Sequence, residues 1–318
     1  MKKIAIIYIM VQLSLTICSQ NSIPVNVFIP ESSLSSNECK EYLLDKITNI
    51  LAENGILCNN YSDRFYITAK VHIVEKKVVK SVSPQILQKI EIVYNMGDAV
   101  DNIIYSTFSR IYIGIGNTEV SSQLNALSKI KSDESYSRIL RKSQEKIIEY
   151  YSQRCNSIIK EADLCSLNKE FDKAIYKLSL IPTGVECYEE VLARMKIIYS
   201  NKLDYENRKL LSRAKQVWSS NPNQNGAKEA ITCIAQIKPN DIINKEVDIF
   251  LTSINEKLQT DERNEWELML KQYEGELALK MQENQSDANL LNTCIQLGFE
   301  YLTKNFQPIN IIENLLLW

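Results

Sequence analysis

The stretch whose residue types come nearest to a recognisable chemistry is Gly114-Ile115-Gly116-Asn117-Thr118. It stands between a strand pattern and a helix pattern, where a glycine-rich phosphate loop would stand. The dinucleotide fingerprint needs a third glycine three residues on, and Glu119 occupies that position. A carboxylate there repels phosphate, and the preceding strand belongs to an antiparallel pattern rather than to a β-α-β unit. The segment is therefore expected to be a tight strand-to-helix turn, capped by Asn117 or Thr118.

Other reactive types are sparse. His72 is the chain's single histidine; it sits in an alternating strand pattern without a Ser or Cys nucleophile motif beside it, which points to a structural or solvent-facing role. The acid pairs Glu189-Glu190, Asp261-Glu262 and Glu274/Glu276 fall in lysine-rich helical stretches and read as solvated helix faces. No spacing selects two carboxylates for hydrolysis. No catalytic residue, cofactor or metal ligand is assigned, and the chain is expected not to be an enzyme; a hydrolase with an unrecognised site is the weakest of the readings kept.

The cysteines carry a different message. No two of them have the two-residue spacing of a zinc knuckle or a thioredoxin-like centre. Met1-Lys2-Lys3, the apolar run Ile4 to Ile17 and the small, polar Cys18-Ser19-Gln20 follow the order of a secretory signal peptide, cleaved after Ser19. The apolar run is about 14 residues, short of the roughly 20 of a membrane-spanning helix. A competing reading takes Leu15-Thr16-Ile17-Cys18 as a lipobox, with Cys18 acylated as a membrane tether; Ile17 is bulky for that position. Export places the chain in the periplasm or cell envelope, where disulfides form. Seven cysteines would remain, an odd number: Cys39, Cys58, Cys155, Cys165, Cys187, Cys233 and Cys294. Cys155 and Cys187 flank the helix pattern Phe171 to Ile181, so the helices on either side can meet. They are the expected disulfide, with Cys165 as the alternative partner for either.

The elements that hold these residues change character once along the chain. From Ile23 to about Lys131 the order reads β-α-β-β-β-α. Ile23 to Ile29 is a short β run stopped by Pro30. Ser35 or Ser36 caps a helix carrying Leu43, Ile47, Ile50 and Leu51, which Gly55 ends. Period-two runs follow over Arg64 to Val79, Ile86 to Tyr94 and Ile103 to Ile115, the signature of antiparallel strands with one buried face. Asn95-Met96-Gly97-Asp98 supplies turn chemistry between the last two, and a second helix starts near Thr118.

Past Ser132 apolar residues recur every three or four positions to about Lys304. Ala174-Ile175, Leu178 and Ile181 before Pro182 are echoed 56 residues later by Ala230-Ile231, Ile234 and Ile237 before Pro239, a helical-repeat-like arrangement. The expected fold is α+β: a signal peptide at 1–19, an α/β domain at 20–133 and an all-α, helical-repeat-like domain at 134–318. Leu315-Leu316-Leu317-Trp318 places four large apolar side chains together, expected to dock either onto the helical domain or into a neighbouring subunit or envelope partner.

Removing residues 1–19 leaves 35 basic against 39 acidic side chains. A chain so balanced lacks the positive field that holds a nucleic-acid backbone. What remains is recognition of protein: a partner, or self-association.

Three stretches carry a resemblance. Val25 to Pro30, Arg64 to Ala69 and Phe108 to Glu119 resemble the small α/β domain of TolB- and CsgG-type envelope proteins. Lys146-Ile147-Ile148-Glu149-Tyr150-Tyr151, Cys155, Glu186-Cys187-Tyr188 and the leucine-tryptophan ending make the whole chain similar to a family of exported proteins of gut Bacteroidota and their phages or mobile elements. The resemblance implies no reaction. It implies a non-enzymatic envelope protein acting as a protein-binding or assembly module, with a structural component of a phage or mobile-element assembly as the alternative.

Overall fold

The computed structural model describes residues 22–30, 34–58, 64–79, 84–258, 260–283 and 287–305. The signal-peptide pattern at 1–19, with Cys18, and the terminal Leu315–Trp318 lie outside the described residues. A four-stranded sheet is followed by a run of helices, an α+β layout.

Strand β1 (Asn26–Phe28) leads through helix α1 (Asn37–Glu53) to β2 (Phe65–Val79), with which it pairs in parallel over Tyr66–Thr68. Strands β3 (Gln85–Asp98) and β4 (Ile103–Gly116) complete the order β1-β2-β3-β4 by antiparallel pairing. Helix α2 (Glu119–Leu127) follows at once, then α3 (Glu134–Leu167). Local chemistry sets these limits. Ser36 caps α1 by accepting the Cys39 amide, and Gly55, at a φ of 70°, takes the left-handed conformation that follows the helix. Thr118 and Ser121 form a reciprocal capping box at the start of α2.

The turn between β3 and β4 is not where the sequence places it. Asn95 to Asp98 remain in β3, and Ala99–Asn102 make the turn, with Asn102 at a φ of 56°. The reason lies at Asp98. Its Oδ1 accepts the amides of Val100 (2.8 Å) and Asp101 (3.3 Å), a side-chain turn that starts after the aspartate instead of enclosing it.

Side chains of Phe65, Ile67, Ala69 and Val71 from β2 share one face with Ile90, Ile92, Tyr94 and Met96 from β3, all buried. Burying each of the larger ones stabilises by about 1.5–3 kcal/mol. The matching positions of β4 are Ser106, Phe108, Arg110, Tyr112 and Gly114, because Phe108 pairs with Tyr94 and Tyr112 with Ile90. The more apolar alternate row of β4, Ile111, Ile113 and Ile115, lies on the other face and is exposed.

Compact packing divides the chain after Arg154, inside α3, where the change of sequence pattern suggests residue 133. Tyr136, Leu140, Ile147 and Tyr151 of α3 are buried. Tyr136 and Tyr151 bond to Tyr94 and Asp98 of β3 respectively, so these turns of the helix belong with the sheet. Pro182–Tyr188 also belongs to this unit.

The second unit comprises Cys155–Ile181 and Glu189–Lys304. It contains the rest of α3, α4 (Phe171–Ser179), all but the first residue of α5 (Tyr188–Ser220), α6 (Gln224–Ile234), α7 (Asp241–Lys257), α8 (Thr260–Glu283) and all but the last residue of α9 (Asp287–Asn305). The patterns at Val185 to Tyr199 and Tyr205 to Trp218 belong, from Tyr188 on, to one continuous helix. The two echoed stretches are buried alike: Ala174, Ile175, Leu178 and Ile181, and Ala230, Ile231, Ile234 and Ile237. Asn207, buried in α5, makes paired bonds to the carbonyl (2.7 Å) and amide (3.0 Å) of Lys238, fixing the chain beyond α6. A core around fully buried Trp266 links α5 through α8.

Candidate interaction surface

The glycine-rich segment is a packing device. A Cβ on Gly114 would come within 1.9 Å of the Ser122 carbonyl oxygen and 2.5 Å of the Ala126 amide, and one on Gly116 within 2.4 Å of the Ser122 amide. Here α2 lies directly on β4, and Ser122 donates its hydroxyl to the Gly114 carbonyl at 3.2 Å. Glu119 pairs with Lys76 of β2. Gly114→Ala is accordingly expected to lower stability by about 1–3 kcal/mol, the range for overpacked sites; a urea denaturation midpoint equal to the parent's would contradict this close packing.

His72 is exposed on β2 opposite Glu91. Glu189, Glu190, Glu274 and Glu276 are exposed on helices α5 and α8, and the side chains of Asp261 and Glu262 lie outside the described residues. Cys155 and Cys187 are disulfide-bonded. Cys165, the alternative partner, is a free buried thiol, as are Cys39, Cys233 and Cys294, whereas Cys58 is free and exposed. Among the described residues no cluster of three His, Cys, Asp or Glu side chains is placed to hold a metal ion, and no helix is long and apolar enough to cross a membrane.

The sequence patterns do not reveal the main polar cluster. Arg64, Asp98 and Tyr151 converge from the start of β2, the end of β3 and the middle of α3. The Arg64 Nε donates to Asp98 Oδ2 at 3.1 Å, and its guanidinium also donates to the Tyr151 hydroxyl. That hydroxyl lies 2.6 Å from Asp98 Oδ2 and 2.7 Å from Asp101 Oδ2, sharing its single proton between two carboxylates. Arg154 lies 3.4 Å from Asp101 at the rim.

Burial draws Arg64 toward neutrality, but Asp98 and Tyr151 outweigh it and keep the guanidinium charged. Burial pushes the Tyr151 hydroxyl up, so it stays a donor. The guanidinium also stands over the rings of Phe65 and Tyr151. Arg64, Asp98 and Tyr151 are each no more than 6% exposed. The chemistry of this arrangement is to hold three elements in register. Positional cues for it are faint: an arginine just ahead of an apolar strand, and an aspartate at the end of another on the inward-facing register.

A second pin lies nearby. Asp133 caps α3 through the Tyr136 amide (2.9 Å) and takes a bidentate bond from Arg110 of β4 at 2.6 and 2.9 Å. Arg110 holds its carboxyl down at about 2. The guanidinium stacks 4.1 Å from the Tyr136 ring centre, and Tyr136 joins hydroxyls with Tyr94 and Tyr112.

Two surfaces among the described residues of this unit can receive a partner, a cleft and a strand. One is a cleft of about 450 Å³ lined by Ser22, Asn54, Ile56, Ser137, Leu140, Arg141, Gln144 and neighbouring groups. The Gln144 amide is already engaged there, bonding the Ile23 amide (2.7 Å) and carbonyl (2.9 Å). The other is the outer row of β4, the last strand of the sheet: Thr107, Ser109, Ile111, Ile113 and Ile115, all exposed. The three isoleucines are 54%, 45% and 44% exposed, and none of the five side chains is charged.

No family model matches the chain, and no curated protein matches it. Among solved structures it is similar to a minor lipoprotein from Acinetobacter baumannii, with 12% identity over 39% of this chain and 94% of that one, at a TM-score of 0.26. So slight a likeness carries no argument, and none of these comparisons bears on kinship with the Bacteroidota proteins.

Proposed function

We propose that this is a non-enzymatic, exported protein of the cell envelope that acts as a protein-binding or assembly module, and that β4 is its docking edge. The observation that carries the reading is the uncharged, largely β-branched outer row of β4 at the end of the sheet. Exposed edges of that kind attract another strand, and proteins that have no use for one blunt it with lysine, proline or a bulge. The signal-peptide pattern of residues 1–19 supports the envelope, and the buried Arg64–Asp98–Tyr151 cluster supports a rigid platform over a reactive site.

The test is photocrosslinking in the exporting cell. A photoreactive amino acid at Ile113 should yield a discrete protein adduct, while the same group at His72 should yield none or a different one. Absence of any adduct at Ile113, with the protein correctly exported, would sink the proposal.

A further inference from the structure

We infer that the occupant of the β4 edge is a second copy of this chain, paired antiparallel about a two-fold axis at Ser109. The inference rests on the docking role proposed above.

Its first support is the direction of the backbone groups. The Ile115 amide donates to Asn125 Oδ1 at 3.1 Å, and the Ile113 carbonyl accepts from Lys129 Nζ at 2.5 Å, both outside the β3–β4 ladder. In an antiparallel strand the N–H and C=O of one residue point the same way, and alternate residues share that direction. The register of β4 against β3 is unbroken from Ser106 to Gly116, so Thr107, Ser109 and Ile111 also direct their backbone groups away from β3. Asn125 and Lys129, in and just after α2, thus cover the far end of the edge and leave a window at Thr107–Ile111.

The second support is charge. A two-fold interface sets each patch against itself, so a charged residue meets its own like or must be matched by an opposite one. Within β4 the window contains no outward charge: Arg110 turns to the inner face, where Asp133 neutralises it, and the neighbouring Glu91 of β3 accepts the Ser109 hydroxyl at 2.6 Å. Pairing about Ser109 places Ser109 opposite Ser109 and Thr107 opposite Ile111, a β-branched match that favours strand pairing.

A third support is contrast with the other side of the sheet. Beyond Thr68, β1 no longer accompanies β2. There β2 carries a register irregularity between Ile73 and Glu75, followed by Lys76 and Lys77. Those features discourage edge pairing. The β4 window has none of them, so a second copy meets β4 rather than β2.

The exported protein, purified whole, should be dimeric by light scattering. Ile111→Lys acts twice in a two-fold interface and should weaken the dimer about tenfold or more, with an unchanged far-ultraviolet circular dichroism spectrum. Paired residues of this kind stand about 5.5 Å apart at Cα, within the range of roughly 4.4–6.8 Å that a disulfide spans. Ser109→Cys in a Cys58→Ser background should therefore give a disulfide-linked dimer under mild oxidation, which the Cys58→Ser parent does not give. A dimer that withstands Ile111→Lys and yields no Ser109→Cys cross-link overturns the assignment of the interface. A monomer whose photoreactive Ile113 captures a different envelope protein overturns the second copy but leaves the docking role standing. A monomer with no adduct overturns both.

Discussion

Asp98→Ala is expected to destabilise the sheet-bearing unit by about 3–5 kcal/mol, the cost of leaving one member of a buried ion pair without its partner. The aspartate is fully buried and receives Arg64 Nε, the Tyr151 hydroxyl and two turn amides. Removing it takes from Arg64 the first of its counter-charges and opens the turn after β3 in one step. Because the penalty comes mainly from the lost charge pairing, Arg64→Met combined with Asp98→Ala should recover a large part of the loss. Urea denaturation of the four proteins of this double-mutant cycle measures the coupling directly. A single Asp98→Ala that unfolds at the parent's midpoint, or a double variant no better than the worse single, would show that the cluster does not hold these elements together.

Loss of the disulfide should have an effect of similar size. Closing a loop of about 33 residues between Cys155 and Cys187 restricts the unfolded chain enough to stabilise the fold by about 3–4 kcal/mol. The loop contains α4, whose Ala174, Ile175 and Leu178 are fully buried. Non-reducing peptide mapping should recover a linked Cys155–Cys187 peptide, and Cys155→Ser should lower the unfolding free energy by about the amount above. Finding both thiols free in protein taken from an oxidising compartment would contradict it, as would equal stability of the Cys155→Ser variant.

Much of the local structure was legible in residue spacing. Ser36 and Thr118 stand at helix starts because short polar side chains satisfy amides that a helix leaves open, and Gly55 follows a helix end because it alone takes a positive φ without strain. The period-two runs became β2, β3 and β4, since alternation along a strand is the same as partition between two faces. The paired stretches at Ala174 and Ala230 read as equivalent and are buried alike.

The features that residue spacing left open or misplaced depend on residues far apart in the chain. Alternation identifies two faces of β4 without saying which is covered; the glycines under α2 and the Tyr94–Phe108 stack turn the polar-looking row inward and leave Ile111, Ile113 and Ile115 outside. The turn after β3 moved past Asp98 because that side chain is held by Arg64, 34 positions away, and by Tyr151, 53 positions away. The same contact makes the first turns of α3 part of the sheet's packing unit and carries the division to Arg154. Periodicity reports only what neighbours within a turn or a strand pair share. A charge needs its counter-charge wherever the chain brings it, and burial of Arg64 makes that need strong enough to set the register of three separate elements.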